Sequence, residues 1–336
     1  MGQDPSLQYY IHMILQGTVL TVPLKGGGEM EADRGRGKIQ KLWAETKKNG
    51  FLVWTLLPGF LYITAFFVII AFFLLKLSLT EYRGGMVENS ATIANYLKLV
   101  QSEEFRSAFL RTFIFVLFVT PLQLLTGLLA AILINRTFIG RGIVRGIFLL
   151  PLAIPTVVTT AVLLLMFSKG GHMTSLLMGE YNWFPGIVDY EIAFLSKEPL
   201  ALGLSMLGKV WRDTPISMLI LLAGLQSINN DQYEAARTMG SSSIQNFFFI
   251  TLPLLIPAIS SVLVLRSIEA WKEFIFPYIL APSYPVLGVL IEKYYVQLFD
   301  PGTAAAIGIM LIVVIMLGTV SLNWLLKKMQ SFLVKV

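Results

Sequence analysis

An all-α membrane protein with six transmembrane helices is predicted for this chain on three observations. Of its 336 residues, 55% are hydrophobic and only 14% charged, against about a quarter charged in soluble domains. Six separate apolar runs, at 51–75, 108–134, 144–167, 202–225, 252–280 and 304–326, each reach the roughly 20 residues that a helix needs to cross hydrocarbon. The short segments of alternating polarity that build a membrane β-barrel are absent. The chain then divides into a cytoplasmic tail able to hold an interfacial helix (1–50), a first transmembrane helix (51–76), an external segment (77–107), a core of five transmembrane helices with a cytoplasmic loop at 229–253 (108–327), and a cytoplasmic tail (328–336).

In the N-terminal tail, the apolar stretch 7–24 lacks a basic leader and is broken by Gln16, Gly17, Thr21 and Pro23, so it does not read as a cleavable signal. It is expected to lie on the membrane or enter a partner, with a seventh span as the alternative. Ile39, Leu42 and Trp43 then share one helical face beside lysines, which suits either an interfacial helix or a solvated basic tail. The net charge of +6 is distributed by loop rather than gathered into a nucleic-acid patch. Lys25, Arg34, Arg36, Lys38, Lys41, Lys47 and Lys48 precede the first run, Arg136, Arg141 and Arg145 follow the second, and Lys327, Lys328 and Lys335 follow the sixth. By the positive-inside rule both termini are cytoplasmic, in a multi-pass protein of the cell (inner) membrane with lipid as its solvent and no nucleic-acid partner. With no cysteine and only His12 and His172, a metal site is not expected.

The second run carries Thr112, Thr120, Pro121 and Gln123, and the third carries Pro151 and Pro155. Each proline removes a backbone donor, so a kink is expected that either serves packing or shapes a pathway. The external stretch 168–201, with Trp183, Phe184 and Pro185, is long enough for a small cap or docking surface. The fourth run contains Lys209, Trp211, Arg212 and Asp213, and the fifth contains Arg266, Glu269, Trp271, Lys272 and Glu273. Charges at bilayer depth face a cavity or pair internally. Arg266 with Glu269, and Glu269 with Lys272, have the helical spacing for pairing. Gln123, Trp211, Arg212, Asp213, Arg266, Glu269, Trp271, Lys272 and Glu273 are therefore candidates for a substrate pathway. Trp211, Trp271, Phe274, Phe276, Tyr278 and Tyr294 could stack on sugar rings or form the interfacial aromatic belt.

Between the fourth and fifth runs, "YEAARTMGSSSIQNFFFITLPLLIP" begins at Tyr233. Asp231 and Glu234 have capping-box spacing and start a helix; Gly240 stops it; Ser242 and Gln245 repeat the box and start the next. A helix of about two turns is marginal alone and needs a packing partner. Tyr233, Ala235, Ala236 and Met239 are expected on its exposed face. These residues resemble a family. Glu234-Ala235-Ala236, then Gly240, Ile250 and Leu252-Pro253 match the EAA loop of ABC importer permeases at every spacing. "VWRDTPISMLILLAGLQSI" and "FLLPLAIPTVV" are similar to the carbohydrate-type permeases, the group of the maltose and glycerol-3-phosphate importers. The likeness runs from Phe105 to the C-terminus. Met239 departs from it, standing where the sugar group carries aspartate and permeases for other solutes often carry an apolar residue.

The resemblance implies a type I ABC importer permease fold with a cytoplasmic coupling helix, and a sugar or sugar-like solute, with a non-sugar solute of the same superfamily as the alternative. It assigns Tyr233, Glu234, Ala235, Ala236, Met239, Gly240, Leu252 and Pro253 to coupling with an ATPase. It further implies a second homologous permease subunit, two ATPase subunits and an extracellular or periplasmic substrate-binding protein. The chain has no glycine-rich phosphate loop with its Lys and Ser or Thr, so it is expected to bind no cofactor and to hydrolyse nothing, with ATP and Mg on the partner ATPases. Two rivals are weighed against this. A secondary transporter or channel would use the embedded charges itself, but no internal repeat is evident. An intramembrane enzyme would need a catalytic cluster, and none has the spacing.

Overall fold

A computed structural model describes residues 50–181 and 183–333, and the expectations for the N-terminal tail lie outside the described residues. The chain divides into two units, Met1–Ile70 and Ala71–Val336. The described part of the first is most of α1 (Gly50–Ser78). Its apolar side chains, such as Phe51, Trp54, Phe60 and Phe67, are exposed, as suits a helix whose solvent is lipid.

The second unit opens with a small antiparallel hairpin, β1 (Glu81–Arg83) and β2 (Met86–Asn89). Its two turn residues, Gly84 and Gly85, have φ of +56° and +81°, the geometry a tight hairpin requires. Then come α2 (Ala94–Gln101) and α3 (Glu103–Asn135). Ser102 starts α3 by accepting from the Phe105 amide at 3.3 Å, and Glu103 and Glu104 complement the helix dipole in its first turn. Asn95 fixes the hairpin end of the unit, donating to the Ser78 and Thr80 carbonyls at 2.9 Å each.

The third apolar run folds as two helices, α4 (Arg141–Ala153) and α5 (Thr156–Phe167), bent by 89°. The cause is local. Pro155 excludes the helical conformation from Ile154, which sits extended at φ −87°, ψ 129°. After the short α6 (His172–Leu177), α7 (Glu198–Gln226) spans 29 residues, about 43 Å at 1.5 Å per residue. Next are α8 (Asn230–Thr238), α9 (Ser243–Asn246), a π-helical turn (Phe247–Thr251) and α10 (Leu252–Trp271). α11 (Ile275–Leu280), α12 (Leu287–Glu292), a second π-helical turn (Lys293–Gln297) and α13 (Pro301–Leu333) complete the chain.

Among the described residues, four helices are long and apolar enough to cross a membrane, or five if the bent α4–α5 pair is one span. The expected helical membrane fold is present, while length and composition alone do not reproduce the count of six spans. The fourth run is a helix of sufficient length, but Lys209, Arg212 and Asp213 lie at its middle. The fifth is displaced: its continuous helical stretch is Ser243–Trp271, and the chain breaks at Lys272 rather than running on to 280. Small residues allow the close approach on which helix packing in lipid depends. A β-carbon on Gly127 of α3 would meet that of Ser217 of α7 at 2.7 Å, and one on Gly224 would meet Ala258 of α10 at 2.7 Å. Met218, Leu221, Leu222, Leu255 and Val262 fill the core between these helices, while Phe105, Trp271, Leu287, Leu290 and Ile307 fill another toward the hairpin end.

Candidate functional site

Two constructions stand out: the α8 loop at one end of the bundle, and a charge cluster inside it. The sequence places the start of α8 at Asp231, and the structure corrects this. The cap is Asn229, whose Oδ1 accepts from the Asp231 amide at 3.2 Å while its Nδ2 donates to Asp231 Oδ2 at 2.9 Å. Asp231 therefore lies inside the first turn, where its charge favours the helix N-terminus. The stop is a Schellman motif: the Gly240 amide donates to Arg237 O at 2.9 Å and the Ser241 amide to Ala236 O at 3.0 Å. Gly240 takes φ +85° with open space around the position a β-carbon would occupy, so its requirement is conformational rather than steric. The second capping box forms as expected, with Ser242 N to Gln245 Oε1 at 2.8 Å and Gln245 N to Ser242 Oγ at 3.3 Å.

The outward face of α8 differs from the expected one. Ala236 is buried, and Tyr233 is half-buried with its hydroxyl 2.9 Å from Thr251 Oγ1. Glu234, Ala235 and Met239 remain exposed. The physical reason is that a nine-residue helix is held from one side only, so the flank carrying Tyr233 and Ala236 supplies the packing that keeps it folded. Thr251 in turn donates to Asn246 O at 3.3 Å. α8 is thus tied to the π-helical turn from which α10 continues, a local irregularity of the kind often found at functional sites. Leu252 and Pro253 begin α10 directly after that turn and are half-buried.

The charge cluster gathers five of the nine candidate pathway residues. Lys209 Nζ lies 2.8 Å from Asp213 Oδ2 and 2.6 Å from Glu273 Oε2, and Arg212 reaches Asp213 Oδ1 at 2.6 Å. Arg266 is 2.8 Å from Glu269 and 3.9 Å from Asp213. Lys209, Arg212 and Arg266 balance Asp213, Glu269 and Glu273, as burial demands. Glu273 also accepts from the Phe276 amide at 3.3 Å, capping α11. The cluster therefore pins the break after α10 to the middle of α7. Lys209 was not among the sequence candidates, although its spacing of four from Asp213 is a visible pairing signal.

Gln123 is fully buried beside the cluster, donating to Lys209 O at 3.2 Å. Trp271 is buried in the core, with its ring packed against Phe109 and Phe113. Lys272 is exposed and makes none of the expected pairing with Glu269, because the chain leaves the helix at this residue, with φ −96° and ψ 19°. Trp211 stands apart from the cluster. It lines a cavity of about 450 Å³ together with Thr126, Phe148, Pro151 and Thr214. Thr126 and Thr214 are hydrogen-bonded there at 2.9 Å. Of the remaining aromatic candidates, Phe276 and Tyr294 are buried, and Phe274 stacks on Tyr278 with ring centroids 4.9 Å apart.

Known proteins resemble this chain in sequence and in fold. Residues 123–331 match the family described as the binding-protein-dependent transport system inner membrane component. The trehalose/maltose transport system permease protein MalF of Thermococcus litoralis is 33% identical over 234 residues, covering 68% of this chain and 77% of that protein. The xylose/arabinose import permease protein XacH of Haloferax volcanii is 29% identical, covering 70% of this chain and 75% of that protein. In fold, the chain is similar to a subunit of a bacterial ABC transporter involved in the import of the acidic polysaccharide alginate, with a TM-score of 0.70 and 23% identity over 86% of this chain and 99% of that one. The chain belongs to the binding-protein-dependent transport system inner membrane component family.

Proposed function

We propose that this chain forms half of the translocation pathway of an ATP-driven importer for a sugar or sugar-like solute, and that α8 is the helix through which cytoplasmic ATPase subunits move it. The observation that carries the reading is α8 itself: a short, doubly capped helix with Glu234, Ala235 and Met239 exposed and Tyr233 tied to the base of α10. Such a helix transmits rigid-body motion from a partner's groove into a span. Glu234, Ala235, Met239 and Gly240 form the docking side, while Tyr233, Ala236, Leu252 and Pro253 hold the helix to the bundle. The sugar assignment is supported by the names of the relatives.

The full assembly pairs this chain with a second permease subunit, two ATPase subunits and an external binding protein, in the cell membrane with both termini cytoplasmic. ATP and Mg are handled by the ATPase subunits, and the chain's own part is mechanical. Trp211 and the Thr126–Thr214 pair offer a stacking face and hydroxyls to a solute, with Arg212 and Glu269 as the more exposed ends of the charge cluster. The test is reconstitution in proteoliposomes. The complete assembly should take up a trehalose-, maltose- or pentose-type sugar only with ATP and binding protein present, and the chain alone should hydrolyse no ATP. ATP-independent sugar flux through the chain alone, or turnover surviving removal of contaminating ATPases, would overturn the reading.

A further inference from the structure

A second cavity, of about 270 Å³, lies beside α8 at the loop end of the bundle. Its walls come from the end of α3, the end of α7, the Tyr233–Arg237 flank of α8 and the segment leading into α10. Arg136, Arg237, Asn135, Ser243 and Asn246 supply donors to it, and no carboxylate lines it. Neither arginine has an ion-pair partner among the described residues. Asn246 is only 7% exposed; its Oδ1 accepts from Ser241 Oγ, leaving Nδ2 without an acceptor among the described residues. Topological bias accounts for basic residues in these loops. It does not account for a cavity that joins two guanidinium groups without ion pairs to an amide nitrogen that has no acceptor among the described residues.

We propose that this cavity binds a phosphate group, as a monoester or diester, and thereby sets how freely α8 moves. Two guanidinium forks and an amide match the several oxygens of a tetrahedral anion, for which arginine is the preferred partner. Ile132, Leu225 and Phe247 make the remaining wall apolar, which suits the glycerol or chain carbon attached to a phosphodiester. The bound group bridges Arg136 at the end of α3 to Arg237 on α8 and so restrains α8 against the bundle. The site stands on cavity shape and charge, whether or not α8 docks an ATPase.

The experiment uses the full chain in phosphate-free maltoside detergent alone, in the same detergent with phosphatidylglycerol, and in the same detergent with added inorganic phosphate. The readout is hydrogen exchange of the backbone amides of residues 230–251. Occupancy should slow exchange there about fivefold, roughly the effect of one arginine–anion contact at a membrane surface. R136Q/R237Q should abolish the slowing, whereas R145Q, in α4 and outside the cavity, should retain it. A response to phosphatidylglycerol alone identifies a lipid headgroup as the source, and a response to inorganic phosphate identifies a soluble ester. Equal exchange under all three conditions, or an undiminished response in R136Q/R237Q, would overturn the site. So would a double variant whose only change is weaker binding of the ATPase subunit, which would assign the arginines to an acidic protein surface.

Discussion

Two apolar runs of this protein, 144–167 and 252–280, are broken as helices, and by different means. The bend between α4 and α5 occurs at Ile154–Pro155, where a proline forbids the helix to continue. The break between α10 and α11 contains no proline. There Lys272 turns out of the helix, and Glu273 is held by Lys209 of α7 at 2.6 Å while it caps α11. One discontinuity is written into the local chain and survives in any surroundings that tolerate it. The other exists because a neighbouring helix supplies a charge. Discontinuities of the first kind serve as fixed shape, whereas those of the second kind can be remade when the neighbour moves.

The largest expected effect comes from removing that neighbour's charge. Lys209→Met leaves Asp213 its arginine contacts but strips Glu273 of its cation. Breaking a buried pair from one side costs about 3–5 kcal/mol, seen as a lower unfolding temperature in detergent and as protease cleavage near 272–286. Lys209→Met/Glu273→Met should recover most of the loss, because no charge is then left uncompensated. If the double variant is as unstable as the single, the break is held by packing rather than by charge, and the contrast between the two runs disappears.

Next is the proline itself. A helix-interior proline is disfavoured by about 3 kcal/mol, so Pro155→Ala should let helix propagate from α4 toward α5. Spin labels at the exposed Ile143 and Leu165 would report this as a longer or broader distance distribution. An unchanged distance would show that the α4–α5 bend, like the α10–α11 break, is imposed by its neighbours.

What could be read from the sequence follows the same division. The Gly240 stop, the Ser242–Gln245 box, the proline break and the Arg266–Glu269 pair each depend on residues no more than five apart, and each has its geometry in the structure. The cap of α8 is also local, yet it lies two residues before the expected Asp231, because Asn229 and Asp231 both carry capping side chains and only the entry path of the chain from α7 decides between them. The Lys209–Glu273 bridge, the burial of Ala236 and the Tyr233–Thr251 contact join distant parts of the chain, and no spacing rule announces them. Trp271 shows the same limit. Its packing against Phe109 and Phe113 of α3 joins distant parts of the chain and leaves no spacing signal.

Within the loop, Gly240→Val tests a local device. At φ +85° a β-branched residue is strained by about 1–2 kcal/mol, although open space surrounds the site. The Schellman bonds should loosen, and the ATPase subunit should be retained several-fold less well in pull-down, with insertion of the spans unchanged. Ser243→Ala, beyond the stop and exposed, should retain it as the unsubstituted protein does. Equal retention by both variants would separate the helix stop from ATPase binding.

The smallest expected effect concerns the tertiary counterpart of that stop. Tyr233→Phe removes only the hydroxyl 2.9 Å from Thr251 Oγ1 and keeps the ring against the bundle. One hydrogen bond of this kind contributes about 1 kcal/mol, too little to unfold α8 but enough to change how rigidly it follows α10. ATPase binding should therefore be preserved, because Glu234, Ala235 and Met239 on the outward face are untouched. Solute moved per ATP hydrolysed should fall, since part of the helix displacement is lost in the loosened joint. Thr251→Val deletes the other half of the contact and should produce the same fall, and the two changes together should cost no more than either alone. Additive losses would mean that the two side chains act separately, and α8 would then drive α10 through the backbone of the π-helical turn instead of through this contact.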